Sequence, residues 1–139
     1  MGPAFSEKSV WVQFVAMAVV LTGYFVAALV MRQNGVDVLV PYVPLFAAAV
    51  VLMIVVLVVG HVIAASTRKV EGADERDRLI EWRAEAQSGW ILGAGVLSGI
   101  TAMILNVDSV LVAHILLGSL FLSEMLKYGL QIVAYRRGF

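Results

Sequence analysis

Arg68-Lys69-Val70-Glu71-Gly72-Ala73-Asp74-Glu75-Arg76-Asp77-Arg78-Leu79-Ile80-Glu81-Trp82-Arg83-Ala84-Glu85-Ala86-Gln87 is the stretch on which the fold turns. Eleven of the twenty Asp, Glu, Lys and Arg side chains lie between Arg68 and Glu85, and the sequence on either side is almost continuously apolar. The chain is 61% hydrophobic and 14% charged, against about 45–50% and 25% in soluble domains. Lipid is its main solvent, and the charged run reads as the polar connection between two membrane-embedded halves.

Upstream, Ser9 to Met31 is apolar apart from Ser9, Gln13, Thr22 and Tyr24, long enough to cross a hydrocarbon layer of about 30 Å. Ala16-Met17-Ala18 resembles a signal-peptidase site, but the apolar run continues to Val30, too far for a signal sequence. Gly2-Pro3 makes a poor myristoylation signal. Arg32-Gln33-Asn34-Gly35 ends the first span, and Pro41 and Pro44 suit the first turn of a second, which is Val-, Ile- and Leu-rich on all sides and should face lipid over much of its surface.

Downstream, the third span is rich in small residues. Gly89 and Gly93, then Gly95 and Gly99, form two G-x-x-x-G spacings on different faces, and small faces let helices approach closely. Asn106-Val107-Asp108-Ser109 is a short turn into the fourth span, closed by Tyr135-Arg136-Arg137. The expected fold is all-α: an integral membrane four-helix bundle with spans at about 9–31, 41–65, 88–106 and 110–134. A charged cytoplasmic helix at about 73–87 joins the two hairpins. Its first turn is acidic (Asp74, Glu75, Asp77), Asp74 and Arg78 form an i,i+4 pair, and Leu79, Trp82 and Ala86 make a narrow apolar stripe. Asp37 and Asp108, in the two hairpin turns, are expected to cap the helices that follow.

Orientation follows from basic residues. Lys8, Arg68, Lys69, Arg76, Arg78, Arg83, Arg136 and Arg137 share one side, against Arg32 on the other and Lys127 within a span. The positive-inside rule then predicts a multi-pass inner-membrane protein with both termini cytoplasmic. A displacement of 71 residues, as from Trp11 to Trp82, also superposes Leu21 on Leu92, Val36-Asp37 on Val107-Asp108, Leu45 on Leu116 and Val62 on Val133, a faint internal repeat.

Glu124 and Lys127 stand out chemically, since a charge at the centre of a membrane helix costs about 2.5–3.5 kcal/mol. At 100° per residue Ser109, Glu124, Lys127, Tyr128, Gln131 and Tyr135 fall within an arc of about 100°, an edge that should face protein. One reading is an intramembrane polar cluster of Glu124, Lys127, Gln131 and His114 that serves proton or ion movement. The other is a self-neutralising i,i+3 pair that holds helices together, with Lys127 reaching toward the cytoplasm. His61 and His114 sit near opposite ends of their spans, too far apart in depth for one haem. No metal site, cofactor or enzyme motif is expected. Zero net charge offers no surface for nucleic acid. With no cysteine, disulfides and thiolate chemistry are excluded.

The run Asp74-Glu75-Arg76-Asp77-Arg78-Leu79-Ile80-Glu81-Trp82-Arg83-Ala84-Glu85 before a span, with Tyr135-Arg136-Arg137-Gly138 closing the last, resembles a family of small four-span prokaryotic membrane proteins whose role is uncharacterised. That family is marked by a D-E-R-D-x-x-I-x-x-(R/K)-A motif. Its members are often encoded beside small helix-turn-helix regulators, so the resemblance implies a membrane partner of a transcription factor. The functional expectation is a non-enzymatic membrane protein acting through protein contacts, regulatory or in assembly, as a homodimer or hetero-oligomer in the lipid bilayer. Asp74, Glu75, Arg76, Asp77, Arg78, Glu81, Trp82 and Arg83 would form its docking helix. The alternative is a small proton- or ion-coupled transporter or channel using Glu124 and Lys127.

Overall fold

In lipid a backbone must satisfy its own N–H and C=O groups, and runs this apolar, without interior proline, can do so only as helices. The computed structural model describes residues 5–71 and 75–137. Among them are four long helices and no strand: α1 (Phe5–Gln33), α2 (Val43–Glu71), α3 (Glu75–Ile104) and α4 (Ser109–Arg137). All four are long and apolar enough to cross a membrane. A 3-10 turn, Val40–Tyr42, contains Pro41 and leads into α2. Asp74, expected in the first turn of the charged helix and in a pair with Arg78, lies outside the described residues. From Glu75 onward the charged segment and the third span are one unbroken helix.

Contacts run α2 to α1 to α4 to α3, with no extensive contact between α2 and α3 among the described residues. The hairpins α1–α2 and α3–α4 therefore meet through α1 and α4, which supply most of the core. Buried positions on α4, Val110, Leu117, Phe121, Tyr128 and Ile132, are spaced by sevens and fours, the 3.5-residue seam of helices crossing at a shallow angle. Val10, Gln13, Met17, Tyr24 and Ala28 form the matching stripe on α1. α3 presents small residues to α4: Ala84, Ser88, Gly95, Gly99 and Ala102 are buried. α2 touches the core chiefly through Tyr42 before it and Ala49, Met53 and Gly60 within it, most of its other described side chains being exposed, as suits lipid.

Both hairpin turns are built alike. Gly35 (φ 83°) and Asn106 (φ 55°) take the left-handed conformation. The N–H of Val36 reaches the Met31 carbonyl at 3.1 Å, and that of Val107 the Ala102 carbonyl at 2.9 Å. These are Schellman closures, one 71-residue displacement apart. After them the hairpins differ. Asp108 caps α4 as expected, its Oδ1 accepting from the Val110 N–H at 3.4 Å. Asp37 does not cap α2: the chain runs on to the 3-10 turn, whose N-cap Leu39 has no side-chain cap bond. The extra residues bring Tyr42 inward, where its hydroxyl donates to the Val36 carbonyl at 2.8 Å. Since only Gly35 is free of a Cβ at positive φ, Gly35→Val is expected to cost about 1–2 kcal/mol and Asn106→Gly to be neutral or slightly stabilising, as read by thermal unfolding in detergent.

Candidate functional site

The α1–α4 seam carries polar groups at four levels. At the end holding the termini, Arg136 Nε lies 3.6 Å from Glu7 Oε1, and its guanidinium sits 5.3 Å over the Trp11 ring. At the end holding the hairpin turns, Arg32 Nη1 lies 3.4 Å from Asp108 Oδ2. The Arg32–Asp108 pair is exposed and Glu7 is mostly covered; the two pairs join opposite ends of two helices running in opposite directions. Arg32, set apart from the other basic residues in sequence, is the bridge between the two turns.

The third level is His114. Its Nδ1 is 2.6 Å from the Val110 carbonyl oxygen, which can only accept, so in the neutral ring Nδ1 carries the proton. Nε2, 3.0 Å from the Tyr24 hydroxyl, then accepts from Tyr24. The tautomer follows from this network. Tyr42, Tyr24 and Phe25 surround the imidazole with ring centroids 5.2, 5.6 and 6.1 Å away. Both ring nitrogens are engaged within the protein. His61, whose side chain lies outside the described residues, is about 27 Å along α2 from its Val43 start, at the opposite end of the fold. Among the described residues no three His, Asp or Glu side chains converge as metal ligands.

The fourth level lies nearer the termini. Lys127 Nζ is 3.7 Å from Glu124 Oε2 and 5.8 Å from the Tyr128 ring centroid. Gln131 and Tyr128 are buried beside them, and Gln13 is buried on α1. At roughly 1.5 Å per residue, Glu124 lies about 18 Å from Arg136 and about 24 Å from Asp108 along α4. That is near the midpoint of α4. Lys127 does not stretch toward the helix end; it folds back onto Glu124. Glu124 Oε2, within ion-pair reach but beyond hydrogen-bond distance of the ammonium, and the Tyr128 hydroxyl are buried without a hydrogen-bond partner. Between this cluster and His114 the seam is closed by Met17, Leu117 and Phe121, each 3% exposed or less. The expected cluster of Glu124, Lys127, Gln131 and His114 is thus two separate polar sites with an apolar plug between them.

On α3 the two G-x-x-x-G spacings have different fates. A Cβ at Gly95 would collide with Ser119 Oγ and Cβ, and one at Gly99 would meet Leu116 Cδ2 at 2.7 Å, so this pair is consumed by α4. Gly89 and Gly93 have nothing within 4 Å and are exposed. The same helix exposes Glu75, Arg76, Arg78, Trp82 and Arg83, while Asp77 and Glu81 are half-buried. Ile80, Ala84 and Ser88 turn inward, and Ser123 Oγ donates to the Ser88 carbonyl at 2.9 Å.

Sequence reasoning missed Tyr24 as an α4 partner and Gly60 of α2 as the surface that receives the Gln13 side chain. A signal existed: Gln13 and Tyr24, eleven residues apart, share one helical face and are among the few polar groups of the first span. No family model, curated protein or solved structure matches the chain.

Proposed function

We propose that this is a non-enzymatic, multi-pass inner-membrane protein that acts through protein contacts, as a regulatory or assembly partner, with the outward, solvent- or lipid-exposed face of α3 as its docking surface. The reading rests on the position of α3 at the end of the helix row. It packs on α4 through its Gly95 edge and leaves Gly89, Gly93, Trp82, Arg76, Arg78 and Arg83 exposed. Charged first turns followed by a close-packing glycine edge suit a partner that spans or abuts the membrane. The distribution of basic residues supports cytoplasmic termini and a cytoplasmic start to α3. The motif resemblance supports a regulatory partner. The seam closed by Met17, Leu117 and Phe121 weighs against a standing pore as the alternative.

Affinity purification of the tagged protein from native membranes tests this. Reversing Arg76, Arg78 and Arg83 to Glu is expected to lower recovery of a stoichiometric partner at least about tenfold, or ~1.4 kcal/mol, with insertion intact. The pair Gly89→Leu and Gly93→Leu should weaken capture without unfolding the monomer, because neither position meets a neighbour. Undiminished capture by both variants would remove α3 as the docking surface.

A further inference from the structure

Three helices agree on where the apolar surface ends. At the termini end α4 stays apolar on its outside as far as Val133, before Arg136 and Arg137. α1, tied to that level by the Glu7–Arg136 pair, exposes Val12, Val15 and Val19. α2, tied to α1 where the Gln13 side chain meets Gly60, exposes Ile54, Val58 and Val62. α3 departs from them. The Ser123 to Ser88 hydrogen bond sets its level against α4, so that Val133, ten residues after Ser123, stands level with Arg78, ten residues before Ser88. Arg83, Glu85 and Gln87, all exposed, then lie at the depth of Val15 and Val19 on α1 and of Ile54 and Val58 on α2. Glu85 is about 10 Å inside the apolar belt. An arginine stem can carry its charge part of that way to water; the short Glu85 side chain cannot. A carboxylate facing lipid there is costly, so this stretch of α3 calls for a protein neighbour.

The same face carries a seam. Leu79, Trp82, Ala86, Gly89, Gly93 and Val96 follow one another at alternating steps of three and four residues, Ile100 and Met103 continue the series, and every one is exposed. Such a stripe fits a second helix lying alongside for the whole length. It is about 150° around α3 from the Gly95 edge that packs on α4. We propose that its occupant is α3 of a second copy of this chain, the two related by a twofold axis along the membrane normal; this rests on the outward face of α3 being the docking surface. Copies inserted in one orientation pair in parallel, and the axis opposes each seam residue to the same residue of the other copy. Small then meets small, and Ala86, Gly89 and Gly93 let the two backbones approach. The charges match in the same arrangement. Arg83 and Glu85 lie on opposite edges of the seam, and the rotation sets one edge against the other, bringing Glu85 of each copy beside Arg83 of the other at nearly equal depth. A guanidinium has five donors, enough to serve a carboxylate across the interface as well as contacts within its own chain. A purely acidic or purely basic partner would oppose one of the two with like charge, whereas a second copy pairs both.

Disulfide cross-linking of the full chain in the membranes of expressing cells tests this, on a background free of cysteine. Ala86→Cys, Gly89→Cys and Gly93→Cys, each taken singly, should give a covalent pair of twice the chain's mass under mild oxidation. Ala94→Cys and Ser98→Cys, exposed on the same helix but turned away from the seam, should stay single. With Gly93→Cys as reporter, Glu85→Arg or Arg83→Glu should lower the cross-linked fraction at least about tenfold. The double reversal should restore it, because the twofold pair is rebuilt with its signs exchanged. Gly89→Leu, at a position with no neighbour inside the monomer, should lower it without touching a charge, which keeps the test open if Arg83→Glu folds poorly. Seam thiols that cross-link no better than Ala94→Cys and Ser98→Cys overturn the pairing of copies. So does a cross-linked fraction indifferent to both single reversals and to Gly89→Leu. Partner capture that still depends on Arg76, Arg78 and Arg83 would then leave α3 as the docking surface for a different protein, and only the twofold pairing falls.

Discussion

Leucine at Gly95 is expected to separate α3 from α4 and cost at least the upper end of the roughly 1–3 kcal/mol usual for overpacking. In yield and thermal unfolding it should be the most damaging single change on α3. The obstacle is Ser119, whose short side chain has no flexible end to move aside, so the α4 backbone itself must yield. Gly99→Ala should be milder, because the atom it meets is the terminal methyl of Leu116 at 2.7 Å, which another rotamer can withdraw. Gly89→Ala and Gly93→Ala should be neutral or stabilising by about 0.5–1 kcal/mol through helix propensity. The order Gly95, Gly99, then Gly89 and Gly93 is sharp because all four glycines lie on one helix in the same kind of sequence. If leucine proves harmless at Gly95 and harmful at Gly93, the α3–α4 interface described above is wrong.

That contrast marks the limit of what periodicity reveals. Two G-x-x-x-G spacings are equivalent on a helical wheel, and only the lateral order of the helices decides which is consumed. The four apolar helices and the charged run before the third span were readable, because the cost of charge in lipid confines Asp, Glu, Lys and Arg to ends and partners. The polar edge of α4 was readable in part for the same reason: Tyr128 and Gln131 are buried and Glu124 and Lys127 half-buried, while Ser109 at its start is exposed. What they face was not. The pairings Tyr24 to His114, Glu7 to Arg136 and Arg32 to Asp108 join residues of the first and last helices, and nothing in either helix names its neighbour. Asp37 failed as a cap for a related reason. Val36-Asp37 and Val107-Asp108 match as dipeptides, yet Tyr42 needs several residues after Gly35 to reach the His114 ring, and those residues carry the start of α2 away from Asp37.

The second large effect is expected at the Glu124–Lys127 pair, and its size depends on which partner is removed. Glu124→Gln leaves an ammonium inside the membrane facing an amide. Breaking a buried pair in this way costs about 3–5 kcal/mol, reduced by whatever the lysine stem recovers by turning toward the helix end. Lys127→Met leaves a carboxylate, which can shed its charge by taking up a proton, so the loss should be smaller. The double variant Glu124→Gln, Lys127→Met removes both charges and keeps the side-chain volumes. It should be about as stable as the original chain or more so, since a buried ion pair seldom outperforms an uncharged pair of similar shape. A double-mutant cycle measured by unfolding in detergent then yields a large favourable coupling energy between the two positions. Additive losses would mean that the two side chains act independently and that Lys127 has another principal partner. Restored stability in the double variant would show that the pair holds its two charges for each other and is dispensable for folding.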